Sequence, residues 1–134
     1  MSLIEACIKL IGLTETLQRW LAALEGLQQA KRLKLAAYAG EIAACLARAA
    51  DACEQGRPAD LAREVGRLSG YVEDVAEALR GQLDGRKIAG VRRRLDALSA
   101  CSGAGARLAT DDDLCHRLRE AEGYMRAVAD RLQV

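Results

Sequence analysis

Seven apolar residues, Leu61, Val65, Leu68, Val72, Val75, Leu79 and Leu83, recur at steps of three and four along one stretch of the chain. A backbone turning 100° per residue brings all seven to one side, whereas a strand divides them between two faces. The stretch is therefore read as an amphipathic helix of heptad type, and its apolar side must be covered by other elements. Little else in the chain is suited to a sheet. Phe is absent, aromatic residues make up 3 %, and there is a single Pro. Ala and Leu supply most of the apolar content, and strong helix formers outnumber the β-branched and aromatic residues that strands favour. The expected class is all-α: an up-down bundle of four or five antiparallel amphipathic helices joined by short loops, with residues 1–134 forming one domain.

Punctuation divides the rest of the chain. Ser2 and Glu5 form a capping-box pattern at the start of the first helix. Its early apolar residues are Leu3, Ile4, Cys7, Ile8, Leu10 and Ile11; the later ones are Leu13, Leu17, Trp20, Leu21, Leu24 and Leu27. The second set is rotated by roughly 100° from the first, more than a straight helix drifts. Gly12 and Thr14 stand at the change of phase as a possible stop and N-cap. Either the helix breaks there, which is the expectation adopted, or it continues and points the isoleucines away from the core.

A second stripe runs through Leu35, Tyr38, Ile42, Cys45, Leu46 and Ala49 and ends at Gly56, with Pro58 opening the next helix. Polar residues at Gln28 and Lys31 suggest a turn between Gly26 and Lys34, although one helix over 14–54 also fits. The heptad helix is expected to end at Gly85 in "LDGRK". The fourth uses Ile88, Val91, Leu95 and Leu98 and gives way to the linker "CSGAGA". The last starts at Thr110 and carries Leu114, Leu118, Ala121, Met125, Val128 and Leu132, with Asp111, Asp112 and Asp113 at its positive end. Gly40, Gly66, Gly70, Gly90 and Gly123 fall inside predicted helices. Gly66 and Gly70, four apart, could admit a close helix approach.

The residue inventory speaks against catalysis. His116 is the sole histidine, so Asp113 and His116 supply at most half of the paired Glu-x-x-His pattern of a di-metal bundle. Cys115 and His116 are adjacent and diverge by about 100° on a helix, too far apart in direction for a nucleophile and its base. Cys7 and Cys45 sit on apolar stripes as small hydrophobes. No catalytic residue, metal ligand or cofactor site is expected. Five cysteines, an odd number with no close pair, suit a reducing cytosol better than a disulfide framework. Glu5 stands where a secretory signal would carry basic residues, and no run of about 18 residues is free of charge, so neither export nor a membrane span is expected.

Twenty basic and nineteen acidic residues leave a net charge of +1, which by itself selects no partner. Local charge is more informative. In "GRKIAGVRRRL", Arg86, Lys87, Arg92, Arg93 and Arg94 form a basic run. It reads as a solvated helix face or as a patch for an anionic partner, either lipid headgroups or an acidic protein. Nucleic acid ranks lower, because no stacking aromatics interleave with these residues.

The capped apolar first helix, the long Cys-containing second, the heptad-rich third, the basic fourth and an additional fifth resemble the HeLo and mixed-lineage kinase domain-like four-helix domains. That resemblance implies signalling by oligomerisation and membrane perturbation through the N-terminal helix. It carries over Leu3, Ile4, Ile8 and Ile11 as a membrane- or partner-facing surface. The expected function is a non-enzymatic interaction module that contacts itself or another helical protein. The alternative is a membrane-perturbing effector, cytoplasmic and peripheral to the membrane.

Overall fold

The computed structural model of the protein describes residues 2–99 and 112–133. They form five helices: α1 (Leu3–Ala23), α2 (Gln29–Glu54), α3 (Pro58–Ala78), α4 (Gly85–Ser99) and α5 (Asp112–Leu132). Among the described residues there is no strand, only an isolated bridge between Arg80 and Leu83. The all-α bundle expected from composition and periodicity is what the chain forms. The "CSGAGA" linker, Thr110 and Asp111 lie outside the described residues.

Ser2 caps α1, its hydroxyl oxygen accepting the Glu5 N–H at 3.2 Å. The helix then runs unbroken through Gly12. Thr14 is an interior residue whose hydroxyl donates to the Ile11 carbonyl at 2.7 Å, and Thr16 donates to the Gly12 carbonyl at 3.0 Å. Hydroxyls thus turn back onto the helix rather than starting a new one. The shift of apolar phase has a tertiary cause. Helix α1 packs against α3, α4 and α5 together, so its covered face is wide enough to take part of both sets. Cys7, Leu10 and Ile11 are buried from the first set, and Leu13, Leu17 and Leu21 from the second.

This corrects the proposed N-terminal surface. Leu3 and Ile11 are 2 % and 1 % exposed and belong to the core. Ile4 is partly buried against that core. Ile8 is the one member left exposed, at 39 %.

Helix α1 ends before a short turn in which Gly26 takes a φ of +70°, so residues 14–54 form two helices. Gln28 provides no side-chain cap for α2, in keeping with the weak turn signal there. Gly56, at φ +64°, and Pro58 mark the α2–α3 boundary where the sequence put it. The end of α3 differs. It stops at Ala78, because Gly81 takes up the left-handed conformation at φ +89°. Gly85 starts α4 instead of ending α3, and an Asp84 carboxylate oxygen accepts the Arg86 N–H at 3.0 Å beside that start.

The helices do not follow one another around the bundle. Helix α2 packs against α3 and α5, and α1 packs against the same two from the opposite corner; the α1 and α2 backbones do not come close to each other among the described residues. The ring order is therefore α1, α5, α2, α3, and the first connection crosses its diagonal. Helix α4 lies outside, on α3 and more lightly on α1. Inside the ring, α2 presents Ala36, Ala39, Ala43, Ala49 and Ala50 between Leu35, Ile42 and Leu46, all buried. The interior glycines serve no close approach: a Cβ at Gly40, Gly66, Gly70, Gly90 or Gly123 would meet nothing within 4 Å. No described helix is long and apolar enough to cross a membrane.

Two substitutions on α1 separate its faces. Ile11→Glu places a carboxylate in the core and is expected to cost about 3–5 kcal/mol. Ile8→Glu, three residues away, leaves the melting temperature within a few degrees. Thermal denaturation followed by circular dichroism checks both, and equal losses would contradict the assigned burial.

Candidate functional site

Spacings of three and four along α1 align Lys9, Gly12, Thr16, Arg19 and Trp20 along one side of that helix. The same spacing in α4 aligns Arg86, Lys87, Gly90, Val91, Arg94 and Ala97. The two sides face each other across a groove, because α4 leans mainly on α3 and touches α1 only lightly. One section, with a volume of about 410 Å³, is lined by Thr16, Arg19, Trp20, Arg86, Lys87 and Arg94 together with Gly90 and Val91. A second, of about 330 Å³, shares Arg94 and is bounded by Lys9, Gly12 and Ala97. Lys9 to Trp20 spans about 16 Å of helix at 1.5 Å per residue.

Among the described residues, no acidic side chain lines either section. Lys9, Arg19, Arg86, Lys87 and Arg94 have no ion-pair partner among the described residues. Arg19 donates to the Thr16 hydroxyl at 3.4 Å, and the Lys87 ammonium lies 6.0 Å from the centroid of the Trp20 ring. Five cations therefore face one channel beside a half-buried indole. The whole chain has a net charge of only +1, so the molecule outside the groove is net negative. Charge is segregated.

The basic run picked out in α4 divides accordingly. Arg86, Lys87 and Arg94 face the groove. Arg92 turns to α3, where it pairs with Glu73 at 3.2 Å and also with Glu77, so it is a helix–helix clamp. Arg93 is exposed and lines neither section. The α1 contribution is absent from the sequence reading, which placed Trp20 on the core stripe and gave Arg19 no role. The available signal was the i, i+3, i+7, i+10 series Lys9, Gly12, Thr16, Arg19, small or basic without a carboxylate.

Other charged clusters are internally matched. Glu64, only 5 % exposed, accepts from Arg48 Nε at 2.7 Å and from Arg67 at 3.1 Å. The Glu64 carboxylate holds the Arg48 guanidinium more firmly protonated than usual, and burial pushes the nearby Cys45 thiol up. Arg119 on α5 bonds Asp51 at 2.6 Å and Glu54 at 3.1 Å on α2, and those carboxylates raise its pKa strongly. A cleft of about 350 Å³ beside Arg48 mixes both signs, including the Arg57–Asp60 and Arg63–Asp60 pairs. His116 is exposed and lies 3.6 Å from Glu120. Among the described residues, no group of three His, Cys, Asp or Glu could hold a metal ion. Comparison with protein-family models, curated proteins and solved structures finds no match to this chain.

The division within α4 is open to measurement. Arg92→Ala removes a two-carboxylate clamp at a half-exposed position and is expected to cost about 0.5–1 kcal/mol. Arg86→Ala and Arg94→Ala are expected to stay within about 0.5 kcal/mol of the parent protein. Urea denaturation of the three variants checks the order.

Proposed function

We propose that the protein is a non-enzymatic helical-bundle interaction module whose α1–α4 groove receives an acidic helical segment of a partner protein. The observation that carries this reading is the set of five cations, without an ion-pair partner among the described residues, on facing sides of two helices that barely touch. Like charges held together without counter-charges disfavour the empty state of such a channel, and an acidic partner relieves that repulsion. A helix lying in a groove between two helices reuses ordinary helix packing. Gly12, Gly90 and Ala97 leave room for its side chains, and Lys9, Arg19, Arg86, Lys87 and Arg94 meet its carboxylates. Membrane perturbation has less support, since the apolar N-terminal surface reduces to Ile8. A single exposed isoleucine is ordinary on a soluble surface.

Trp20 is the only tryptophan, so intrinsic fluorescence reports on the groove. Titration with a Glu-rich amphipathic helical peptide is expected to shift the emission saturably. The affinity should weaken at least about tenfold as ionic strength rises from about 0.05 to 0.5 M. Arg19→Glu with Arg94→Glu removes the response without lowering the melting temperature, while Arg93→Glu retains it. An unchanged titration in the double variant, or no response in the parent protein, overturns the reading. Light scattering identifies the occupant further: a dimer abolished by the same double change makes a second copy the partner.

A further inference from the structure

We propose that Cys53 on α2 and Cys115 on α5 form a dithiol that a hydroperoxide oxidises to an interhelical disulfide, making this pair a covalent modification site independent of the groove. The two residues are 62 positions apart in sequence, yet their sulfurs lie 2.8 Å apart. Both are buried, at 1 % and 7 % exposure. A disulfide needs about 2.05 Å between sulfurs, so closure calls for the two sulfurs to approach by a further ~0.8 Å.

The neighbourhood fixes this alignment. Arg119, one turn beyond Cys115, bonds both Asp51 and Glu54, which flank Cys53. Those ion pairs hold the same two helical turns in register from the solvent side while the sulfurs meet from the core side. Cys45 is differently placed. Its sulfur lies 3.3 Å from Arg48 Nη2, and burial favours the protonated thiol.

The chemistry balances with hydrogen peroxide as the oxidant. Cys115 is the more exposed residue of the two and is the fourth residue of α5. Its thiolate attacks one peroxide oxygen, the O–O bond breaks, and the departing hydroxide takes a proton to leave as water. The Cys53 sulfur then attacks the resulting sulfenic sulfur, the S–O bond breaks, and a second water leaves with the Cys53 proton. Two thiols lose two electrons and the peroxide gains them. The product ties α5 to α2 and closes a long loop of chain, which restricts the unfolded state.

The test uses the full chain, treated with hydrogen peroxide, quenched by alkylation and mapped by peptide mass spectrometry under non-reducing conditions. A crosslinked peptide pair containing Cys53 and Cys115, lighter by two hydrogens, is expected. The oxidised protein should melt about 10 °C higher, and dithiothreitol should reverse the shift. Cys115→Ser abolishes crosslink and shift, whereas Cys101→Ser preserves both. Should a serine at 115 impair folding, Cys53→Ala gives the same readout from the other side of the pair. The proposal is overturned if Cys115 proceeds to the sulfinic acid without a crosslink. A crosslink that joins Cys101 instead, or one that lowers the melting temperature, also overturns it.

Discussion

The close packing of α2 against its two neighbours is the contact on which the bundle depends. Ala36, Ala39, Ala43, Ala49 and Ala50 remove bulk from the buried side of α2. Small side chains let helix axes approach the lower end of the usual range of roughly 8–10 Å. Between them Leu35, Ile42 and Leu46 fill the space, each fully buried. Alanine also costs little side-chain entropy in a helix, which helps to explain how a core without phenylalanine is assembled. The polar reinforcement is on α2 as well. Arg48 reaches the buried Glu64 of α3, and Asp51 with Glu54 receive Arg119 of α5. A charge at Glu64 is tolerable only because two guanidiniums meet it there.

Everything else is arranged around that trio. Helix α1 closes the ring from the corner opposite α2, and α4 is left with the outer seam between α1 and α3. This placement gives α4 two kinds of surface. Ile88, Val91 and Leu98 are buried, and Arg92 is committed to α3. Arg86, Lys87 and Arg94 are left looking across to Arg19 and Trp20. The groove is thus a by-product of where a fifth helix can sit on a four-helix ring. Its charge is a separate property, imposed by the residue types at those positions.

The local features of the fold were legible in the sequence. The Leu61–Val75 part of the heptad in α3, the Ser2 cap, Gly56 with Pro58, and the apolar stripe of α2 all act over a few residues, and each is found where the pattern put it. The misreadings have tertiary causes. Gly12 looks like a stop because a helix with one neighbour has one apolar phase; α1 has three neighbours and a wide covered face. Gly85 looks like the end of α3, but Gly81 is the glycine that takes a positive φ. The candidate site was half legible. The α4 run is visible as basic residues in a row, but Arg92 answers Glu73, 19 residues earlier on another helix. Lys9 and Arg19 join the patch only once α1 is known to lie beside α4.

The diagonal first connection also constrains the order in which the chain can assemble. Consecutive helices usually pack as hairpins, so that each new helix finds its predecessor waiting. Here α2 emerges after α1 and cannot cover it. The leucines of α1 must await α3 and then α4, and the α5 side of that helix stays bare until the C-terminal region has been made. At roughly 5–20 residues per second, a ribosome leaves this surface open for several seconds. During synthesis the most apolar helix of the protein is a customer for whatever binds exposed hydrophobic chain, and the finished fold bears no trace of that interval.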